Sequence, residues 1–94
     1  MARIFQTKYE SQADAKVCEV PYESQADLCW FEEQYEAQAL GDERWHFVHY
    51  DQQASAKIFW VKHATQADLK VHKVKFPAQA GWRTANHKFK GKLG

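Results

Sequence analysis

The dipeptide Gln-Ala returns six times, at Gln12-Ala13, Gln25-Ala26, Gln38-Ala39, Gln53-Ala54, Gln66-Ala67 and Gln79-Ala80. Successive glutamines stand 13, 13, 15, 13 and 13 residues apart. A unit this short holds one strand and one tight corner and little else. It is shorter than an ordinary β-solenoid coil or a propeller blade, so the repetition calls for an unusual winding. Parallel neighbours need a crossover of about a dozen residues, and roughly six are available between successive strands. The expectation is therefore that successive strands pair antiparallel or cross at an angle.

Superposed on Gln-Ala, each unit reads as an aromatic, two residues, Gln-Ala, often Asp, a small or apolar residue, Lys, and an apolar run. The aromatic slot holds Tyr9, Tyr22, Tyr35, Tyr50, His63 and Phe76. The apolar runs are short, rich in β-branched and aromatic side chains, and alternate with period two, which predicts strands. Lys16-Val17-Cys18-Glu19-Val20 and Lys70-Val71-His72-Lys73-Val74 show this most cleanly. One face carries Cys18, Val20 and Tyr22, or Phe59, Val61 and His63. The other is apolar mainly at Ile4, Val17, Trp30, Trp45, Ile58 and Val71. The face bearing the aromatic slot is expected to be buried and the other partly wet.

The corners predict about one helical turn each. Ser11 to Asp14, Ser24 to Asp27 and Thr65 to Asp68 fit the capping-box pattern, in which a hydroxyl and a carboxylate satisfy first-turn N–H groups. Two units depart from the rule. Leu40-Gly41-Asp42-Glu43 inserts two residues, expected to form a surface loop. After Gln79-Ala80 the pattern fades, and the tail 87–94 could form a terminal strand anchored by Phe89 and Leu93. The fold class predicted is mainly β, one domain over residues 1–94, built from a six-fold strand-plus-turn repeat wound into a single compact body.

Tyr-Glu-Ser-Gln-Ala-Asp followed by Lys-Val-x-x-Val, repeated and closed by Gln79-Ala80-Gly81-Trp82, resembles the septoil-knot domain family. The resemblance runs from about Ile4 to Leu93. It implies a small, deeply knotted monomer of bacterial origin, its single chain tied into a seven-crossing torus knot, with no catalytic residues to carry over. In such a winding Ala at each crossing would allow close backbone approach. The side chains of Gln12, Gln25, Gln38, Gln53, Gln66 and Gln79 would satisfy backbone groups left unpaired there.

Candidate chemistry is sparse. Cys18 and Cys29 are expected to be reduced packing residues. His46 and His49 fall on opposite faces of a strand, His63 and His72 fill aromatic or cysteine slots, and His87 sits in the tail, so no metal site is expected. The aspartates are assigned to capping, no Gly-rich phosphate loop is present, and neither enzyme activity nor a cofactor is expected. No stretch approaches the roughly 18 apolar residues of a spanning helix, and no secretory signal opens the chain, so a cytoplasmic protein without membrane association is expected.

Charge is lopsided: residues 1–55 carry eleven acids and four bases, residues 56–94 one acid and nine bases. Lys70, Lys73, Lys75, Arg83, Lys88, Lys90 and Lys92, interleaved with aromatic residues, form a candidate surface for a polyanion or single-stranded nucleic acid. In a closed winding the two halves would instead interleave and neutralise each other. The leading expectation is a non-catalytic, very stable structural or protein-interaction module. Its function is sought where the repeat fails, at Leu40–Glu43 and from Trp82 onward.

Overall fold

A computed structural model describes residues 2–39, 41–84 and 87–93. Seven strands alternate with six single 3₁₀ turns: β1 (Ala2–Gln6), β2 (Ala15–Glu19), β3 (Leu28–Glu32), β4 (Arg44–Phe47), β5 (Ala56–Trp60), β6 (Leu69–Lys73) and the two-residue β7 (Gly81–Trp82). Each 3₁₀ turn ends on a repeat glutamine. In the first, the Gln12 N–H donates to the Tyr9 carbonyl and the Ala13 N–H to that of Glu10, both at 3.1 Å. The aromatic slot is the N-cap in every corner, and no side chain caps any of them. The expected capping boxes therefore do not form.

The strands are ordered β4-β1-β5-β2-β6-β3, and β3 pairs back onto β4, so six strands close into a barrel; β7 adds to β3. All six barrel pairings are parallel, and only β7 runs antiparallel. This corrects the expectation of antiparallel or crossed neighbours. Apart from β3 and β4, successive strands do not pair at all. A strand's partner lies three or four units away, as in Ala2 opposite Trp45 and Ile4 opposite Ala56. The chain makes one circuit with β1, β2 and β3 in alternate places, and a second that sets β4, β5 and β6 between them. The limit on crossover length does not bear on partners so far apart in sequence.

The inserted residues fall where one circuit gives way to the next. Residues 7–14, 20–27, 48–55 and 61–68 are eight-residue links, whereas the link from β3 to β4, residues 33–43, has eleven. That longer link joins the one successive pair that is also a parallel hydrogen-bonded pair, Phe31 opposite Arg44. Its length approaches that of an ordinary parallel crossover.

The barrel interior inverts the expected facing. Ile4, Val17, Trp45, Ile58 and Val71 are fully buried, and Trp30 nearly so, with Ala2, Ala15, Leu28, Ala56 and Leu69 beside them. The aromatic slot lies outside: Tyr9, Tyr22, Tyr35, Tyr50 and Phe76 are 62–66% exposed, and His63 is exposed too. The physical reason is volume. A six-stranded barrel encloses a narrow interior, and alanines at three strand starts leave room for the bulky residues two positions on. A further ring of six large aromatics has nowhere inside to go.

The repeated aspartate has a different task from capping. The Asp14 N–H donates to the Lys57 carbonyl at 2.7 Å, and its carboxylate accepts the Lys57 N–H at 2.8 Å. Asp68 grips Lys16 and Asp27 grips Lys70 in the same two-point manner, and Ser55 uses its hydroxyl on Arg3. In barrel order, β5 is thereby fastened to β1, β2 to β5, β6 to β2 and β3 to β6. Each clamp sits just before a strand and fixes its register against the strand already in place.

The tail is a turn rather than a strand, with residues 88–92 in turn conformation. Leu93 is its anchor, 1% exposed within the core cluster, while Phe89 packs partly against it. Asp42, from the inserted stretch, holds the tail in place. Its carboxylate accepts from the Leu93 N–H (3.0 Å), the Gly91 N–H and Trp82 Nε1 (3.0 Å). Its carbonyl accepts from Trp45 Nε1. Of the insertion expected to be a surface loop, Leu40 lies outside the described residues and Asp42 is buried. Gly41, at φ +71°, makes the backbone reversal there.

Candidate functional site

In a parallel barrel the C-terminal ends of the strands are the first place to look. Here that mouth is ringed by Phe47, Gln6, Trp60, Glu19, Lys73 and Glu32, one from each strand. The ring is filled and its polar groups are spoken for. Trp30 stacks on Trp45 at 4.6 Å, and Phe47 and Trp60 pack around them. Trp60 Nε1 donates to Gln6 (2.7 Å) and Trp30 Nε1 to Glu19 (3.1 Å). Lys73 Nζ donates to Glu32 and lies over the Trp30 ring. Stacked rings and paired polar groups fill this end of the barrel, with Glu32 and Lys73 also bordering an outer groove.

The other candidate groups are equally committed. His46 and His72, at equivalent positions, hydrogen-bond the Glu33 and Val20 carbonyls. His87 stacks between Trp82 and Phe89. There its Nδ1 can accept from the Phe89 N–H while its Nε2–H donates to the Asp68 carbonyl. Among the described residues no three His, Cys, Asp or Glu side chains gather as metal ligands. Cys18 and Cys29 are free and buried. Burial, seconded by Glu23, pushes the Cys29 thiol up from its ordinary value of 9.0, although Arg83 pulls the other way. A thiol so placed is a poor nucleophile.

The basic residues singled out in the sequence do not make one free patch. Lys73 faces Glu32, Arg83 faces Glu23 at 3.0 Å, and Lys88 faces Asp68. Lys70 gives its backbone to the Asp27 clamp. Lys75 and Lys92 are exposed, as is Lys90. Because the second circuit is laid between strands of the first, basic β6 lies between β2, which ends on Glu19, and β3, which ends on Glu32. The lopsided charge of the sequence is thereby mixed in space.

Exposed chemistry is concentrated instead at the corners. All six repeat glutamines are exposed. Among the described residues the only side-chain hydrogen bond any of them makes is a long 3.5 Å contact between Thr7 and Gln12. They do not satisfy crossing points, because the backbone there is satisfied by the 3₁₀ turns and the aspartate clamps. Shallow grooves run between neighbouring links on the barrel's outer surface. Gln12, Gln25, Gln53 and Gln66 each help to line one of four of them, with volumes of about 340–570 Å³. The fifth, about 610 Å³, is lined by Phe31, Glu32, Gln34, Lys73, Val74 and Lys75.

The described residues form a parallel six-stranded barrel wound in two interleaved circuits around an interior filled with large side chains. The family model described as the 7(1) septoil knot domain matches residues 1–83. The chain belongs to that family, and the tail 87–93 lies beyond the match. No curated protein and no solved structure matches the chain. No helix among the described residues is long and apolar enough to cross a membrane.

Proposed function

We propose that this chain is a non-catalytic, very stable binding module whose knotted scaffold displays its corners as the working surface. The observation that carries the reading is the division of labour between the two sides of the barrel. Inside, the large side chains are buried and the polar groups at the mouth are paired. Outside, aromatic rings about two-thirds exposed recur at five of six equivalent corners. Solvent-facing rings contribute little to a fold, and interfaces are enriched in tyrosine.

The test is capture by the immobilised full chain from an extract of the source cells, with bound protein, nucleic acid and polysaccharide recovered separately. The reading expects an enriched ligand whose retention weakens when corner aromatics are replaced by alanine. Turnover of a substrate by the purified chain, or retention that ignores every corner variant, would overturn it. Polyanion binding through the basic C-terminal half has less behind it, since three of its seven residues already face carboxylates. Retention of DNA or RNA that collapses as salt rises would favour that alternative.

A further inference from the structure

The six corners are equivalent in backbone but not in side chains. Four read Tyr-acid-x-Gln: Tyr9-Glu10-Ser11-Gln12, Tyr22-Glu23-Ser24-Gln25, Tyr35-Glu36-Ala37-Gln38 and Tyr50-Asp51-Gln52-Gln53. In the other two the tyrosine and the acid are absent together, leaving His63-Ala64-Thr65-Gln66 and Phe76-Pro77-Ala78-Gln79. Those two form the same 3₁₀ turn with the same extended N-cap. The turn itself therefore needs neither the phenol nor the carboxylate; Glu10, Glu23 and Glu36 make surface ion pairs with Lys16, Arg83 and Arg3, and it is the exposed phenols that ask for another cause.

Each such corner offers one ring face with three hydrogen-bonding groups around it. The glutamine N–H donates to the tyrosine carbonyl at 3.0–3.1 Å in each, which holds the two residues at one corner. No hydrogen bond is made by the four phenol hydroxyls among the described residues. The glutamine amides are free apart from the long Gln12 contact. An amide supplies both donors and acceptors, a carboxylate only acceptors, and a tyrosine an apolar face with a polar tip.

Three of the four corners adjoin. They follow β3, β4 and β1, which are consecutive around the barrel. One groove of about 490 Å³ joins Glu36 to Gln53, and a second of about 340 Å³ joins Asp51 to Tyr9 and Gln12. His49 lines both. The two grooves make a track that joins the corners of Tyr35, Tyr50 and Tyr9; Tyr9 lines it directly, and Tyr35 and Tyr50 stand beside Glu36 and Asp51, which do.

We propose that this track binds a linear, neutral, hydroxyl-rich polymer: a polysaccharide chain whose ring C–H faces rest on the tyrosines while its hydroxyls meet the amides and carboxylates. Along the grooves Arg3 pairs with Glu36 at 3.6 Å and Lys8 accompanies Asp51, so the charges balance and suit a neutral ligand better than a polyanion. Polar groups between the rings disfavour the continuous apolar core of a protein interface. Spacing several weak contacts along one polymer gives avidity without a deep pocket. This proposal rests on the binding-module reading and names its ligand.

The test is affinity electrophoresis of the full chain in gels containing a mixed-linkage glucan, a galactomannan or a xylan, with heparin and polyuridylate as charged controls. Retardation by at least one neutral polymer is expected. Tyr9→Ala and Tyr50→Ala should each weaken it by about five- to tenfold, as loss of one aromatic contact implies. Tyr22→Ala, at the corner set apart from the track, should change it less than twofold, within about 0.4 kcal/mol. Unchanged urea midpoints would show that the variants still fold. No retardation by any neutral polymer, retardation by the charged polymers alone, or indifference to Tyr9→Ala and Tyr50→Ala overturns the proposal. If the neutral polymers fail while corner variants still abolish capture of a protein from extract, the binding-module reading stands and the polysaccharide falls.

Discussion

Replacing Asp42 by alanine probes the joint between the inserted link and the tail. The carboxylate accepts from Trp82 Nε1 and from the Gly91 and Leu93 N–H groups, and of these the Leu93 N–H is buried beneath the tail. Gly91 is exposed and Trp82 half-buried, so water can replace the carboxylate at those two. Stranding the Leu93 amide costs about 1–3 kcal/mol. If the tail lifts instead, the Leu93 side chain gives up burial worth about 1.5–3 kcal/mol. The two losses are alternatives in part, and a total near 3 kcal/mol follows. For a chain of this length total stability is of order 5–14 kcal/mol, and the melting point should fall by about 12–24 °C.

The assay is urea and thermal unfolding of a double-mutant cycle: wild type, Asp42→Ala, a chain lacking residues 87–94, and both changes together. In the shortened chain the Leu93 and Gly91 amides are gone while Trp82 Nε1 stays, so the same substitution should then cost less, by about 1–3 kcal/mol. Additive losses in the cycle, or an Asp42→Ala chain with the wild-type midpoint, would refute the assignment of Asp42 as the tail's anchor.

The strand clamps predict a graded series. Asp68→Ala, which strands the partly buried Lys16 N–H, should cost about 1 kcal/mol, and Asp14→Ala less, because Asp14 is exposed and its bond to the Lys57 N–H is open to water; equal and negligible losses in urea unfolding would contradict this. Since the Cys29 thiol is raised above 9.0 by burial, the folded state holds that proton more tightly than the unfolded one. Its contribution is fully present below pH 9.0 and is lost as pH rises above that value, so wild type should lose stability there faster than Cys29→Ala. Identical slopes for the two chains would dismiss the effect. Neither Cys18 nor Cys29 should react with a thiol reagent at neutral pH until the chain unfolds, and rapid labelling of the native chain would contradict their burial. Pairings 43 and 52 residues apart in sequence call for slow refolding, milliseconds to seconds or longer, and slow unfolding. Stopped-flow traces complete within microseconds would be incompatible with that topology.

The corners were legible in the sequence because their signal is local. An aromatic followed three residues later by Gln-Ala marks each 3₁₀ turn, and the intervening runs alternate visibly between Lys16 and Val20 or Lys70 and Val74. The inward face was visible as a column of Ile4, Val17, Trp30, Trp45, Ile58 and Val71. Its rank was hidden, because an equally long column of aromatic residues, four of them tyrosines, competed with it. Only the narrow bore of the closed barrel decides between them, and closure is a property of the whole chain. Pairing order was harder still. Nothing near Ile4 announces Ala56 as its partner, and the two extra residues at 40–43 were the sole mark of the change of circuit. The repeat glutamines misled for a related reason. Regular recurrence suggested an internal job, yet in a closed ring outward-facing positions recur as strictly as inward-facing ones. The tyrosine-acid pairing at four corners was already in the sequence, but its meaning waited on knowing that the other two corners fold alike.

The interleaving of the two circuits also bears on how such a chain can change over generations. A solenoid gains or loses a unit at modest cost, since each repeat touches only its neighbours in sequence. Here β4, β5 and β6 already occupy the intervals between β1, β2 and β3, and β3 meets β4 to finish the ring. A duplicated thirteen-residue unit would find no interval to enter, and a deleted one would leave two strands without partners. Copy number, the usual currency of repeat evolution, is frozen. What stays open is substitution at outward slots such as Tyr22 or His63, and change beyond the closed ring, where residues 87–93 pack against it without adding a strand.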